Sequence, residues 1–201
     1  EATIRFGFET ETDDAMGARR DGGVAMGPGP TLPTQDRLQS ALPAFTGILQ
    51  QVPPAYSAKK VEGERAYDLA RKGLQVDLPP VQVTVSRIEL LSLQDDEARI
   101  RVRCSRGTYI RSLARDIGRA LGCGAHLAAL KRTEASGFHL RDAVILDDLT
   151  PEMLQARLVP MREILPAWPE RTVNADEANE LSHGRSLPAP ADEGARFRLT
   201  S

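Results

Sequence analysis

The chain has 201 residues, of which 41% are hydrophobic and 27% charged, with a formal net charge of −2 at neutral pH. That length suits one sizeable domain or one domain plus a small appendage, and no apolar run approaches the roughly 20 residues of a membrane-spanning helix. The first residues, EATIRFGFET, carry neither the basic nor the apolar segment of a secretory signal, and Cys104 and Cys123 form no Cys-x-x-Cys pair. The expectation is a cytoplasmic protein with two buried, reduced thiols.

In chain order, Ala2–Phe8 alternates as a strand. Because Glu1 is no initiator Met and the chain opens inside that strand, the expectation is a fragment of a longer protein. Glu9–Gly17 is an acidic turn and Ala18–Pro33 a Gly/Pro-rich surface loop. Thr34 can cap a helix that Pro43 stops, and Pro53-Pro54 breaks the chain before Tyr56. The apolar positions Ala66, Leu69 and Ala70 predict a helix over Val61–Lys72. Val81–Leu90 and Ala98–Cys104 predict a hairpin through Gln94-Asp95-Asp96, with a register change near Ser86 and arginines on one face of the second strand.

Thr108–Leu121 carries the strongest helical pattern, with Ile110, Leu113, Ala114, Ile117 and Leu121 on one stripe and Arg111, Arg115 and Arg119 on another. Leu127–Phe138 predicts a further strand. A helix over Asp148–Leu158 would be capped by Asp148 or Thr150, with Pro151 at its first position. After a linker with Pro160, Pro166 and Pro169, a small module begins near residue 167, with a helix over Asn174–His183 and a closing strand over Arg196–Ser201.

The chemistry concentrates in residues 99–132, where nine Lys or Arg face one acid, Asp116. That is +8 locally, so the rest of the chain carries −10. Unbalanced arginines suit bidentate contacts to phosphate and predict a focused polyanion-binding face. The same face could instead dock an acidic protein. Arg111 lies at the border of the apolar and basic stripes, where a half-buried guanidinium needs an anionic partner from elsewhere. Tyr109 stands at the turn before the helix, as a site residue or as an amphipathic wedge at the core edge. Thr10–Asp14 is either a hydrated turn or a group of acids that contact nucleic acid or orient an arginine. His126 reads as packing or as a phosphate contact. His126, His139 and His183 are too scattered to make a metal site.

Three separated motifs then occur in order. These are GFETETDDAMG at residues 7–17, PPAYSAKKVEGERAYDLARKG at residues 53–73, and CSRGTYIRSLARDIGRALGCGAHLAALKRTEASGF at residues 104–138. They closely resemble the bacterial TruB family of tRNA pseudouridine-55 synthases, from Glu1 to about Arg162. The resemblance implies an α+β pseudouridine synthase fold, with a mixed, mostly antiparallel sheet and flanking helices over residues 1–166. It also implies a partial PUA-like module over residues 167–201. It implies isomerisation of a flipped-out T-loop uridine in tRNA, without a cofactor, by a monomer.

Arg111, Tyr109 and Leu130 resemble the residues that line the uridine pocket. Arg111 would pair with the catalytic carboxylate and Leu130 would pack near the flipped base. Asp14 resembles an aspartate that helps hold the RNA. Residues 53–80 resemble a mobile insertion that clamps the tRNA stem, with Lys59, Lys60 and Arg65 facing phosphate. Tyr56, Arg106, Arg115, His126, Lys131 and Arg132 complete the expected RNA surface. Two departures stand out. Glu11 replaces an aspartate, and the family's GxLDPxAxG segment with its nucleophilic aspartate has no counterpart among residues 1–201. This chain alone is therefore expected to be inactive. A non-catalytic RNA-binding or RNA-folding protein using the same basic face is the alternative.

Overall fold

Alternating Ala2, Ile4 and Phe6 form the buried face of the first strand, β1 (Ala2–Phe6). The computed structural model describes residues 1–20, 31–61, 63–74, 76–164, 168–188 and 198–200. Most of the predicted Gly/Pro-rich loop, and the two ends of the predicted closing strand, lie outside them. Thr34 caps α1 (Gln35–Ala41) by accepting from the Arg37 N–H, and Pro43 enters a 3-10 turn over Leu42–Phe45. Next comes β2 (Gly47–Gln51), a strand that alternation does not mark because two apolar residues and two glutamines follow one another.

Where spacing predicts a helix over 61–72, the chain first makes a hairpin of β3 (Lys60–Val61) and β4 (Glu64–Arg65). Gly63 turns it at φ +93°, a conformation that cannot continue a helix, and α2 (Ala66–Arg71) follows. The long strands β5 (Val81–Gln94) and β6 (Glu97–Cys104) pair as predicted, with register shifts at Val85/Arg87 and Leu90/Ser92. Cys104, at the end of β6, is exposed rather than buried, whereas Cys123 is buried.

The helix α3 (Ile110–Ala120) buries Leu113, Ala114 and Ile117, with Leu121 just beyond it, and leads into β7 (Ala125–Leu130). Each large apolar side chain so buried stabilises the fold by roughly 1.5–3 kcal/mol. The strand predicted to reach Phe138 ends at Leu130. Ser136 and Gly137 both take positive φ and fold β8 (Glu134–Ala135) onto β9 (Phe138–His139).

Among the described residues the main sheet runs β2-β5-β6-β1-β7, with antiparallel neighbours. The acidic turn extends its far edge through a parallel bridge from Asp14 to Leu127. The core joins Ile4, Phe6, Ile100 and Leu127 of the sheet to Leu38 and Leu42 near α1 and to Leu113 and Ile117 of α3.

Gly118 lets α3 approach the start of β7. A Cβ there would lie 2.3 Å from Ala125 N and 2.5 Å from Gly124 C, both backbone atoms. Gly118→Ala is therefore expected to destabilise this unit by about 3 kcal/mol, seen as a lower urea midpoint. An unchanged midpoint would show that helix and strand can part freely.

Contacts divide the chain into units Glu1–Asp142 and Ala143–Ser201. In the second, Thr150, not Asp148, caps α4 (Pro151–Arg157) by accepting from the Met153 N–H. There β10 (Glu170–Thr172) pairs in parallel with β11 (Arg198–Thr200). Asn174 and Glu177 form a reciprocal capping box at α5 (Ala175–Ser182). Among the described residues no helix is long and apolar enough to cross a membrane.

Candidate active site and nucleic-acid interface

Arg111, Arg115 and Arg119 follow one another down one side of α3, and the acidic turn lies where each finds an anion. The turn is held there because Ala15 N–H donates to the Leu127 carbonyl and Leu127 N–H to the Asp13 carbonyl. Arg119 donates from Nε and Nη2 to the two oxygens of Glu9, at 2.7 and 2.8 Å. Arg115 is 7% exposed. It donates to Asp13 at 2.8 Å, to Asp116 at 2.9 Å and to the Val52 carbonyl at 3.0 Å.

Arg111 donates from Nη1 to Asp14 Oδ2 at 3.1 Å and to the Thr12 carbonyl at 3.2 Å, and from Nη2 to the Tyr56 carbonyl at 2.9 Å. A guanidinium has five N–H donors. The Nε hydrogen and one Nη2 hydrogen of Arg111 are thus without an acceptor among the described residues.

These contacts correct the expectation of an unbalanced arginine row. The stripe is an ion-pair lattice: beside Asp116, next to Arg115 in the chain, its counterions are Glu9, Asp13 and Asp14, too far away in the chain for local spacing to show them. Arg115 is buried, with each of its three nitrogens donating to Asp116, Asp13 or the Val52 carbonyl, so it does not present itself to phosphate. His126 is also interior, at 2% exposure, with Nδ1 3.2 Å from the Phe8 carbonyl and its ring 4.6 Å from that of Phe8. Packing, not phosphate contact, accounts for it. On β6, Arg101 pairs with Glu1 at 2.7 Å and Arg103 with Glu134 at 3.4 Å, exposed pairs that contribute little to stability.

Burial is the largest influence on both interior acids, and it has opposite outcomes. At Glu9 the hydrogen bond and charge of Arg119, with the charges of Arg20 and Arg115, together outweigh burial and hold the carboxyl below its ordinary range. At Asp13 burial outweighs Arg115 and Arg20 and pushes the carboxyl up. Asp13 also sits at φ +59°, and its Oδ1 lacks a hydrogen bond, with Arg20 Nη2 at 3.7 Å.

The first turn of α3 is held from β2. The buried Gln51 side chain accepts from the Tyr109 N–H at 2.8 Å and donates to the Tyr109 carbonyl at 3.1 Å. Ser112 donates to the Val52 carbonyl at 2.8 Å. Nothing in the local pattern marks Gln51, because its importance depends on a strand that alternation does not reveal.

β7 runs back along α3, so Leu130 falls at the same end of the sheet as Tyr109 and Arg111. β6 continues past Ala2, its neighbour at Ile100, and brings Arg106 to that end as well. Leu130 is 56% exposed, a large apolar side chain presented beside exposed Arg106, Lys131 and Arg132. On the insertion, Lys59, Lys60 and Arg65 are exposed, and Arg65 Nη1 donates to the Tyr67 hydroxyl at 3.0 Å. Tyr56 is half-buried and reaches Arg111 through its carbonyl. Within the described residues, Lys59, Lys60, Arg106, Lys131 and Arg132 form no ion pair.

This fold is shared with solved structures. The chain matches one in a Cbf5-Nop10-Gar1 complex with a TM-score of 0.67 at 21% identity, over 98% of this chain and 54% of that one. It matches another in an H/ACA RNP bound to a substrate RNA containing 2'-deoxyuridine, with a TM-score of 0.63 at 20% identity, over 98% and 53%. The sequence gives the class directly. Residues 1–110 match the TruB family pseudouridylate synthase N-terminal domain, and residues 111–166 match the tRNA pseudouridylate synthase B C-terminal domain. The chain belongs to the TruB family of pseudouridylate synthases.

Among its relatives, tRNA pseudouridine synthase B of Aromatoleum aromaticum is 41% identical over 202 residues, covering 99% of this chain and 64% of that protein. The protein of the same name from Bordetella pertussis is 48% identical over 172 residues, covering 83% and 67%. The chain thus spans less than two thirds of the length of the Aromatoleum relative.

Proposed function

We propose that residues 1–201 form the larger part of a tRNA pseudouridine synthase that isomerises the T-loop uridine, position 55, in the cytoplasm as a monomer. The observation that carries this reading is Arg111. Its guanidinium is fixed on one side by Asp14, Thr12 and Tyr56, and two N–H groups remain open beside the Tyr109 and Leu130 end of the sheet. That open edge fits a carboxylate supplied from outside these residues. The base, flipped from its stack, would lie near Tyr109 and Leu130.

The carboxylate attacks C1′ of the uridine as nucleophile, and the N1–C1′ bond breaks with its electron pair leaving on N1. The base turns, C5 bonds to C1′ as the carboxylate–C1′ bond breaks and the carboxylate leaves, C5 loses its proton to solvent and N1 gains one. Arg111 keeps the carboxylate ionised and aimed. No cofactor enters this scheme. Asp14 serves by holding Arg111. Arg106, Lys131 and Arg132 hold the phosphates, Lys59, Lys60 and Arg65 of the insertion over residues 53–80 clamp the stem, and residues 167–201 contribute part of a PUA-like module.

The reaction is tested by mapping pseudouridine in an unmodified tRNA transcript treated with the full-length protein. Product at the T-loop uridine is expected. Product only at another stem-loop overturns the site, and tight retention without product favours an RNA-folding protein. Binding is tested by salt. With about five free cations at phosphates, log K for tRNA should fall against log salt with a slope of about −3 to −5. Charge removal at Lys131 and Arg132 should flatten that slope, whereas Arg119→Gln should not, because Glu9 already holds Arg119. A salt-independent complex would point to an acidic-protein partner instead.

A further inference from the structure

We infer that Gln51 is a positioning residue for the proposed isomerisation, acting through the peptide of Tyr109 on the pocket that Tyr109 and Arg111 form. The inference rests on the function proposed above. Tyr109 is the residue before the first turn of α3, and no side chain of the helix itself caps it. Its N–H precedes the helical hydrogen-bond ladder and has no partner there. Its carbonyl already accepts from the Leu113 N–H at 3.1 Å.

Gln51, the last residue of β2 and 3% exposed, supplies what is missing at both ends of this residue. Its Oε1 takes the Tyr109 N–H and its Nε2 adds a second donor to the Tyr109 carbonyl. Two contacts from one planar carboxamide fix both the position and the rotation of the turn on which Tyr109 stands. Two residues later the same turn launches Arg111. Arg111 in turn donates to the Tyr56 carbonyl, five residues beyond Gln51 on the segment that enters the insertion. The strand end therefore aims the pocket from beneath, while Gln51 itself, buried under the helix, does not face the substrate. A side chain of this kind changes the rate of the bound complex more than the capture of RNA.

The experiment uses the full-length enzyme and tritium release from tRNA labelled at uridine C5, with three variants. Gln51→Leu keeps the bulk and removes both contacts. It is expected to lower kcat by about tenfold to a hundredfold with KM for tRNA nearly unchanged, the cost of misplacing reacting groups by an ångström or less. Thr34→Ala removes the cap of α1, away from the turn that carries Tyr109, and should keep the kcat of the parent.

Gln51→Glu separates positioning from packing. When protonated, its carboxyl can both donate to the Tyr109 carbonyl and accept from the Tyr109 N–H. When ionised, it can only accept. Its kcat, taken as a ratio to the parent at each pH, should rise as pH falls. Arg115, which donates to the adjoining Val52 carbonyl, and Arg111, on the turn that Gln51 holds, are common to both proteins with their partners Asp13, Asp14 and Asp116, so the ratio isolates the new carboxyl. An unchanged kcat in Gln51→Leu, an equal loss in Thr34→Ala, or a ratio flat with pH in Gln51→Glu would overturn the role. A parent enzyme that releases no tritium would overturn the proposed reaction instead.

Discussion

Arg111→Lys in the full-length enzyme is expected to lower turnover on tRNA by about a hundredfold or more, because misplacing one positioned group by an ångström costs on that order. The guanidinium makes three separate contacts at 2.9 to 3.2 Å, to a carboxylate and two carbonyls on two different segments. An ammonium is a point charge on a flexible stem and cannot meet all three while keeping a planar edge open. It would follow Asp14 alone, or abandon it. Stability should change far less, since both partners of the Arg111–Asp14 pair are a quarter exposed and water can replace the lost bonds. Single-turnover rates and urea midpoints on the same preparation check both halves. Near-parent turnover would remove Arg111 from the reaction.

Arg115→Leu should have the opposite profile, with a fold destabilised by about 3–5 kcal/mol at pH 7, because it leaves a buried carboxylate without its cation. Asp13 is 3% exposed in its side chain, and Arg115 is its closest ion-pair partner at 2.8 Å. The penalty should depend on pH in a definite sense. Burial already raises the Asp13 carboxyl above its ordinary value of 3.8 in the parent, and removing Arg115 raises it further. The folded variant then holds a proton at pH values where the unfolded chain has released it, so its stability falls as pH rises. The difference between variant and parent should be largest near neutrality. It should shrink toward the ordinary Asp value, below which the unfolded chain is protonated too. Urea titrations of residues 1–201 between pH 4 and 7 measure this. A penalty that is constant with pH would mean that Asp13 is not the stranded group.

These two arginines show what the sequence reveals and what it hides. The apolar stripe through Leu113 and Ile117 is a local 3.6-residue pattern, so α3 is readable from spacing alone, as is the β5–β6 hairpin from its alternation. The same spacing makes Arg111, Arg115 and Arg119 look alike. What separates them is which acid of the turn over residues 9–14 each one meets, and that depends on a parallel bridge from Asp14 to Leu127.

Burial of Arg115 and His126 follows from the same long-range pairing and leaves no local trace. The hairpin at Gly63 and the turn at Ser136-Gly137 were legible in principle, since glycine with positive φ punctuates both. Apolar spacing on either side masks them. Gln51 is hidden more deeply, because a polar residue at a strand end earns its meaning only from the helix turn above it.

The most direct test of the central claim compares the full-length protein with residues 1–201, each at stoichiometric concentration, on tRNA tritiated at uridine C5. Tritium release and tRNA retention are read from the same samples. The predicted result is release by the full-length protein alone, with salt-sensitive retention by both. Release by residues 1–201 alone would contradict the account, because the nucleophile would then lie inside this chain and Arg111 would not be waiting for a carboxylate from beyond it.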